Sequence, residues 1–123
     1  MVLVDTSVWI RFLSNQSPFA RGLDRLLSRG EVWGHEFVYG ELLIGDRGGR
    51  RQLLADYALM HQAPAAPHRD VVEFVRARHL HGRGIGWIDA HLLASALLGG
   101  LALWTADPRL ATVAGELDVA YEA

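Results

Sequence analysis

Two short apolar runs, MVLV at residues 1–4 and LALW at residues 101–104, constrain the fold most. Neither alternates apolar with polar, so each reads as a strand buried on both faces. Each runs directly into a helical pattern, DTSVWIRFL after the first and TADPRLATVAGE after the second. Strands alternating with helices imply an α/β fold with a mostly parallel sheet covered on both faces. In such sheets ligands sit outside the carboxyl ends of strands, at a topological switch point. Asp5 ends the first strand, and Thr105 and Asp107 follow the second. If those strands are neighbours, both acids open onto one crevice.

Between them the pattern predicts helices at 6–13, 18–30, 35–45, 50–60, 68–84 and 88–100. In the first, Val8, Trp9, Phe12 and Leu13 share helical spacing; in the second, Phe19, Leu23, Leu26 and Leu27 do. EVWG and DVAYE read as short strands, and QAPAAP as a loop or a weak edge strand. Asp107 is placed to cap a helix whose first residue is Pro108. The 123 residues suffice for one domain with a real core. No apolar run reaches the ~20 residues of a membrane span, and the start is too short for a secretory signal. A cytoplasmic location is the expectation.

What is missing narrows the chemistry. There is no cysteine, which removes thiolate zinc sites, disulfides and cysteine nucleophiles. All 12 basic residues are arginine, so a P-loop, which needs its lysine, is excluded. The net charge of −2 creates no global field drawing the chain to a polyanion.

Four acids remain to be explained: Asp5, Glu41 in FVYGELLIG, Asp89 in GWIDAHLLASALL and Asp107. Carboxylates are rarely fully buried unless paired or metal-bound. Glu41 shares a helix face with Phe37, Val38 and Ile44, so it is expected on the buried stripe. Asp89 precedes Leu92, Leu93 and Ala96 at helical spacing. Helix capping is the competing explanation for Asp5, Asp89 and above all Asp107. If the four converge, a divalent cation is the natural counter-charge, and oxygen-only ligation suits Mg²⁺ or Mn²⁺. Such ions polarise phosphoryl oxygens and activate water.

The six histidines show no zinc spacing and are expected to be exposed. Trp9, Trp33 and Trp104 are expected in the core. Trp87, beside Asp89, either stacks on a base or covers a helix start, the latter being the simpler reading. Arg11 lies near the expected site and either contacts a phosphate or pairs with an acid. Arg47, Arg50 and Arg51, in the glycine-bearing stretch DRGGRR, are candidate substrate contacts, and a solvated turn is the simpler reading. Arg76, Arg78, Arg83, His79 and His81 near a helix C-terminus suit its dipole.

VDTSVWI, GELLIG, GIGWIDAHLLASALL and LWTADPRL, spread over nearly the whole chain, resemble the motifs of PIN-domain ribonucleases of the VapC toxin type. The resemblance implies a single PIN domain over residues 1–123, with a three-layer fold and a five-stranded sheet in the order 3-2-1-4-5. It implies Mg²⁺- or Mn²⁺-dependent endoribonuclease activity. Asp5, Glu41, Asp89 and Asp107 would be its catalytic and metal-site acids, with Thr6, Ser7 and Thr105 supporting them. It also implies a homodimer and a small VapB-like antitoxin that covers the acidic pocket, often with an arginine among the carboxylates. A PIN nuclease of RNA processing, or a non-catalytic PIN-like binding module, are the competing readings.

Overall fold

A computed structural model describes all residues 1–123. The elements run β1 (Val2–Val4), α1 (Thr6–Leu13), α2 (Phe19–Ser28), β2 (Val32–Trp33) and α3 (Glu36–Ile44). There follow α4 (Arg51–Ala58), α5 (His68–Ala77), α6 (Trp87–Gly99), β3 (Ala102–Trp104) and α7 (Pro108–Glu116). The sheet is parallel throughout, in the order β2-β1-β3. No helix is long and apolar enough to cross a membrane.

Side chains alternate between faces along a strand, yet Val2, Leu3 and Val4 are all buried. Both faces of the central strand are therefore covered, as its unbroken apolar sequence predicts. Above and below it pack Trp9 and Leu23 from α1 and α2, Leu92 and Leu93 from α6, and Leu110 from α7. Burying each such side chain stabilises the fold by about 1.5–3 kcal/mol. Trp9, Trp104 and, half-buried, Trp33 belong to this core as expected. α6 is buried continuously from Ala90 to Ala96, the mark of a helix enclosed by its neighbours. Gly22 lets α2 approach β3: a Cβ there would come within 2.9 Å of the Trp104 ring.

Three expectations need adjustment. The parallel sheet has three laddered strands, which do not by themselves establish the expected five-strand order. QAPAAP and DVAYE contribute only single parallel bridges, Gly34 to Gln62 and Leu103 to Ala120. Pro64 and Pro67 lack the N–H a ladder requires, and Asp118, at φ +61°, turns the chain just before its bridge. The fifth helix stops at Ala77, short of residue 84. His79 adopts a left-handed conformation (φ +53°), as do Gly82 and Gly84, and the Leu80 N–H turns back to the Val75 carbonyl.

The third correction concerns the histidines. His61, His68, His79 and His81 are exposed as expected, but His35 and His91 are buried, at 0 % and 3 % exposure. His35 caps α3, its Nδ1 accepting the Phe37 N–H at 3.0 Å. That leaves Nε2 to donate to the Ser95 hydroxyl of α6 at 3.0 Å. The Tyr57 hydroxyl accepts the His35 backbone N–H at 2.9 Å, so one residue ties α3, α4 and α6 together. Burial lowers the pKa of His35 below its usual 6.5, and burial likewise lowers that of His91. The unfolded chain therefore binds more protons below about pH 6.5, and stability falls as the medium is acidified through that value. Each ring contributes up to about 1.4 kcal/mol per pH unit. Urea denaturation at about pH 7.5 and 5.5 is expected to show this loss, and His35→Asn, which keeps a capping acceptor, is expected to reduce it. Equal acid sensitivity in the two proteins would contradict the assignment.

Candidate active site

Parallel pairing of β1 with β3 sets Val4 beside Trp104, and the Asp5 N–H donates to the Trp104 carbonyl at 2.8 Å. The residues leaving both strands therefore emerge together. Asp5 occupies the N-cap position of α1, yet its carboxylate makes no capping bond. Instead Oδ2 accepts from the Ser7 hydroxyl at 2.6 Å and the Thr105 hydroxyl at 2.8 Å. The same two hydroxyls accept the N–H groups of Ala106 and Asp107, each at 3.0 Å. Their own protons are thereby directed at Asp5, and the β3–α7 loop is laced onto it. Asp5 is only 6 % exposed, so capping does not account for it.

Glu41 departs from expectation. It is exposed, and the buried stripe of α3 is Val38 and Leu42. Phe37, Glu41 and Ile44 do share a face, but that face lines a cavity instead of the core. Glu41 Oε1 accepts from the Thr6 hydroxyl at 2.7 Å, which links it to the residue next to Asp5. Asp89 is half-buried in the first turn of α6, its Oδ2 accepting the Gly86 N–H at 2.8 Å. Asp107 caps α7 as expected, Oδ1 accepting the Arg109 N–H at 2.9 Å. Capping thus uses one oxygen of Asp89 and one of Asp107. The other oxygen of each carries no bond within the protein.

The charges converge on Asp89. Burial raises its pKa most; the Gly86 N–H opposes this, and the negative charges of Asp5, Asp107 and Glu41 raise it further. No cation relieves the cluster, because the ion pairs of the protein are Arg76–Glu73 and Arg83–Glu116. The second is bidentate, at 2.9 and 2.6 Å, and clasps the glycine-bearing loop before Asp89 to α7, whose N-cap is Asp107. The donors are all carboxylate oxygens, which suits a hard divalent cation. No three of the acids stand close enough in this arrangement to close on an ion.

The arginines form no ion pair with the four acids. Arg11 donates to the Ser7 carbonyl at 2.9 Å and lies over the Phe19 ring at 5.4 Å, so it pairs with no acid. Arg47, Arg50 and Arg51 follow α3 in a turn held by the Gly48 N–H on Asp46 at 2.9 Å, and none forms an ion pair. Sequence reasoning missed the largest cavity, about 840 Å³, which touches the acid set only through Glu41. Phe37, Trp87 and His91 line it. The signal for His91 was its place inside the apolar run of α6.

The PIN domain family model matches residues 2–116. Ribonuclease VapC32 of Mycobacterium tuberculosis is 44 % identical over 121 residues, covering 98 % of this chain and 95 % of that protein, in strains H37Rv and CDC 1551 alike. Among solved structures, FitAcB from Neisseria gonorrhoeae superposes with a TM-score of 0.63 at 22 % identity, covering 98 % of this chain and 95 % of that one. PAE2754 from Pyrobaculum aerophilum does so with a TM-score of 0.57 at 17 % identity, covering 95 % and 88 %. These two share the fold. With the motif order, the strand-end acids and nearly full-length identity to VapC32 in agreement, the chain belongs to the PIN-domain family and, within it, to the VapC group.

Proposed function

We propose that the protein is a metal-dependent endoribonuclease, the toxin of a type II toxin–antitoxin pair. The observation that carries this reading is the group of four carboxylates gathered around Asp89 without a compensating cation. The 44 % identity to a protein named as a ribonuclease supports it. Asp5, Glu41, Asp89 and Asp107 would be the residues that hold Mg²⁺ or Mn²⁺, since at least one oxygen of each is unbonded within the protein. Bound there, such an ion polarises the phosphoryl group and activates water for attack.

The chain itself fixes the acids. Ser7 and Thr105 hold one oxygen of Asp5 and leave the other without a partner in the protein. Thr6 restrains Glu41, the Gly86 N–H restrains Asp89 and the Arg109 N–H restrains Asp107. Pre-positioned groups of this kind save the cost of ordering them during reaction. In this reading metal-activated water is the attacking group. The products are then expected to carry 5′-phosphate and 3′-hydroxyl ends. End-group analysis of cleaved RNA tests this; 2′,3′-cyclic phosphates would overturn it.

An unrelieved acidic cluster also favours an arginine-bearing antitoxin segment as inhibitor, by charge-assisted pairing. A homodimer and a cytoplasmic location belong to the same reading. So does the outline of the sheet: the bridges at Gln62 and Ala120 stand where reduced outer strands would complete a 3-2-1-4-5 order. Arg47, Arg50 and Arg51, unpaired beside the cavity end of α3, are the remaining candidates for backbone contact with RNA. Arg11, engaged with Ser7 and Phe19, is the weaker one.

A further inference from the structure

The 840 Å³ cavity opens between α3 and the start of α6, and Glu41 on its lining joins it to the acid cluster. One wall is a run of ring contacts. Trp87 lies 5.0 Å from His91 and His91 lies 4.7 Å from Phe37, centroid to centroid, each pair edge-on. Trp87 is 41 % exposed, unlike a tryptophan serving only the core. Ile44, 90 % exposed, adds an apolar rim.

His91 is the member that packing does not explain. It is 3 % exposed, yet neither of its nitrogens is hydrogen-bonded within the protein. The one side-chain polar atom sealed away without a partner is Trp9 Nε1, so the His91 nitrogens are not sealed. His91 is itself one of the residues that line the cavity. A purely apolar occupant would leave that polar edge unpaired, which binding sites penalise. A nucleobase meets both demands, with flat faces for aromatic rings and a polar rim for hydrogen bonds. It also hangs one sugar away from its phosphate, which suits a cavity whose edge carries Glu41.

Resting on the ribonuclease reading, we propose that this cavity is a nucleobase subsite. Trp87 and Phe37 supply the stacking surface, and His91 hydrogen-bonds the edge of the base. The subsite selects the nucleotide next to the cut.

The test is a tryptophan-fluorescence titration of the full chain with single-stranded RNA pentamers of A, C, G or U, in chelator so that nothing is cut. Wild type is expected to bind them with unequal affinity. Trp87→Leu, at a half-exposed position, is expected to weaken the tightest by roughly 5- to 150-fold. His91→Phe keeps the ring packing and is expected to shrink the spread among the four pentamers towards equality. Melting curves establish that both variants fold. Equal binding by all three proteins would overturn the subsite. So would binding of no pentamer, including the case in which an arginine-containing apolar peptide binds instead and claims the cavity for a polypeptide. Cut-site profiles on an RNA pool separate the two readings. Asp5-dependent cleavage with profiles unchanged in both variants removes the subsite and keeps the nuclease. Pentamer binding as expected with no cleavage of any RNA removes the nuclease and keeps a base-binding site.

Discussion

Asp89→Asn is expected to abolish RNA cleavage and, in the same protein, to raise thermal stability. The activity loss follows from removing one of the charges that would hold the cation, and a fall of roughly 10²–10³-fold or more is expected. The gain in stability follows from the same cluster. Burial and the charges of Asp5, Asp107 and Glu41 raise the pKa of Asp89 above 3.8. The fold therefore favours its protonated form. The stability that goes with protonation is complete below the unfolded value and is lost as pH rises through the folded one. Asparagine is neutral throughout and keeps an oxygen for the Gly86 N–H. Its advantage is expected at neutral pH and is expected to vanish at about pH 3. Melting temperatures across that range, beside a cleavage assay, check both halves. A variant less stable than wild type at neutral pH would mean that the acids do not strain one another.

Mn²⁺ or Mg²⁺ is expected to stabilise the wild-type protein by neutralising the cluster. At a free concentration a hundred times the dissociation constant, binding to the folded state alone contributes about 2.7 kcal/mol. For a chain of this size that is a rise of about 8 °C in melting temperature. Chelator is expected to reverse it, and Asp5→Asn or Asp107→Asn to reduce it. An unchanged melting temperature over a wide range of both ions would remove the metal from the site.

The strands at the heart of the sheet were legible because a strand covered on both faces must be apolar at every position. MVLV and LALW are. The outer segments were legible as a short strand, DVAYE, and as a loop or weak edge strand, QAPAAP, but not their extent, since each forms only a single bridge, at Ala120 and Gln62. Asp5 and Asp107 were legible as strand-end acids. Only coordinates separate their roles, since Asp107 caps its helix and Asp5 does not. Glu41 was placed on the correct face of α3 with the wrong neighbour. An apolar stripe looks the same in sequence whether it faces a core or a cavity, and Ile44 at 90 % exposure shows that it faces the latter. His35 and His91 were misread because a buried histidine is recognised by its partners. Ser95 lies sixty residues from His35 in sequence.

The most direct test is incubation of the purified, antitoxin-free protein with a mixed RNA pool, in Mg²⁺, in Mn²⁺ and in chelator, beside Asp5→Asn. Asparagine can still accept the Ser7 and Thr105 hydroxyls, so the variant is expected to fold. Cleavage that needs the ion and disappears in the variant is the expected result. A folded protein that cuts nothing with either ion, or cuts equally well in chelator or with Asp5→Asn, would contradict a carboxylate-held metal as the centre of its activity.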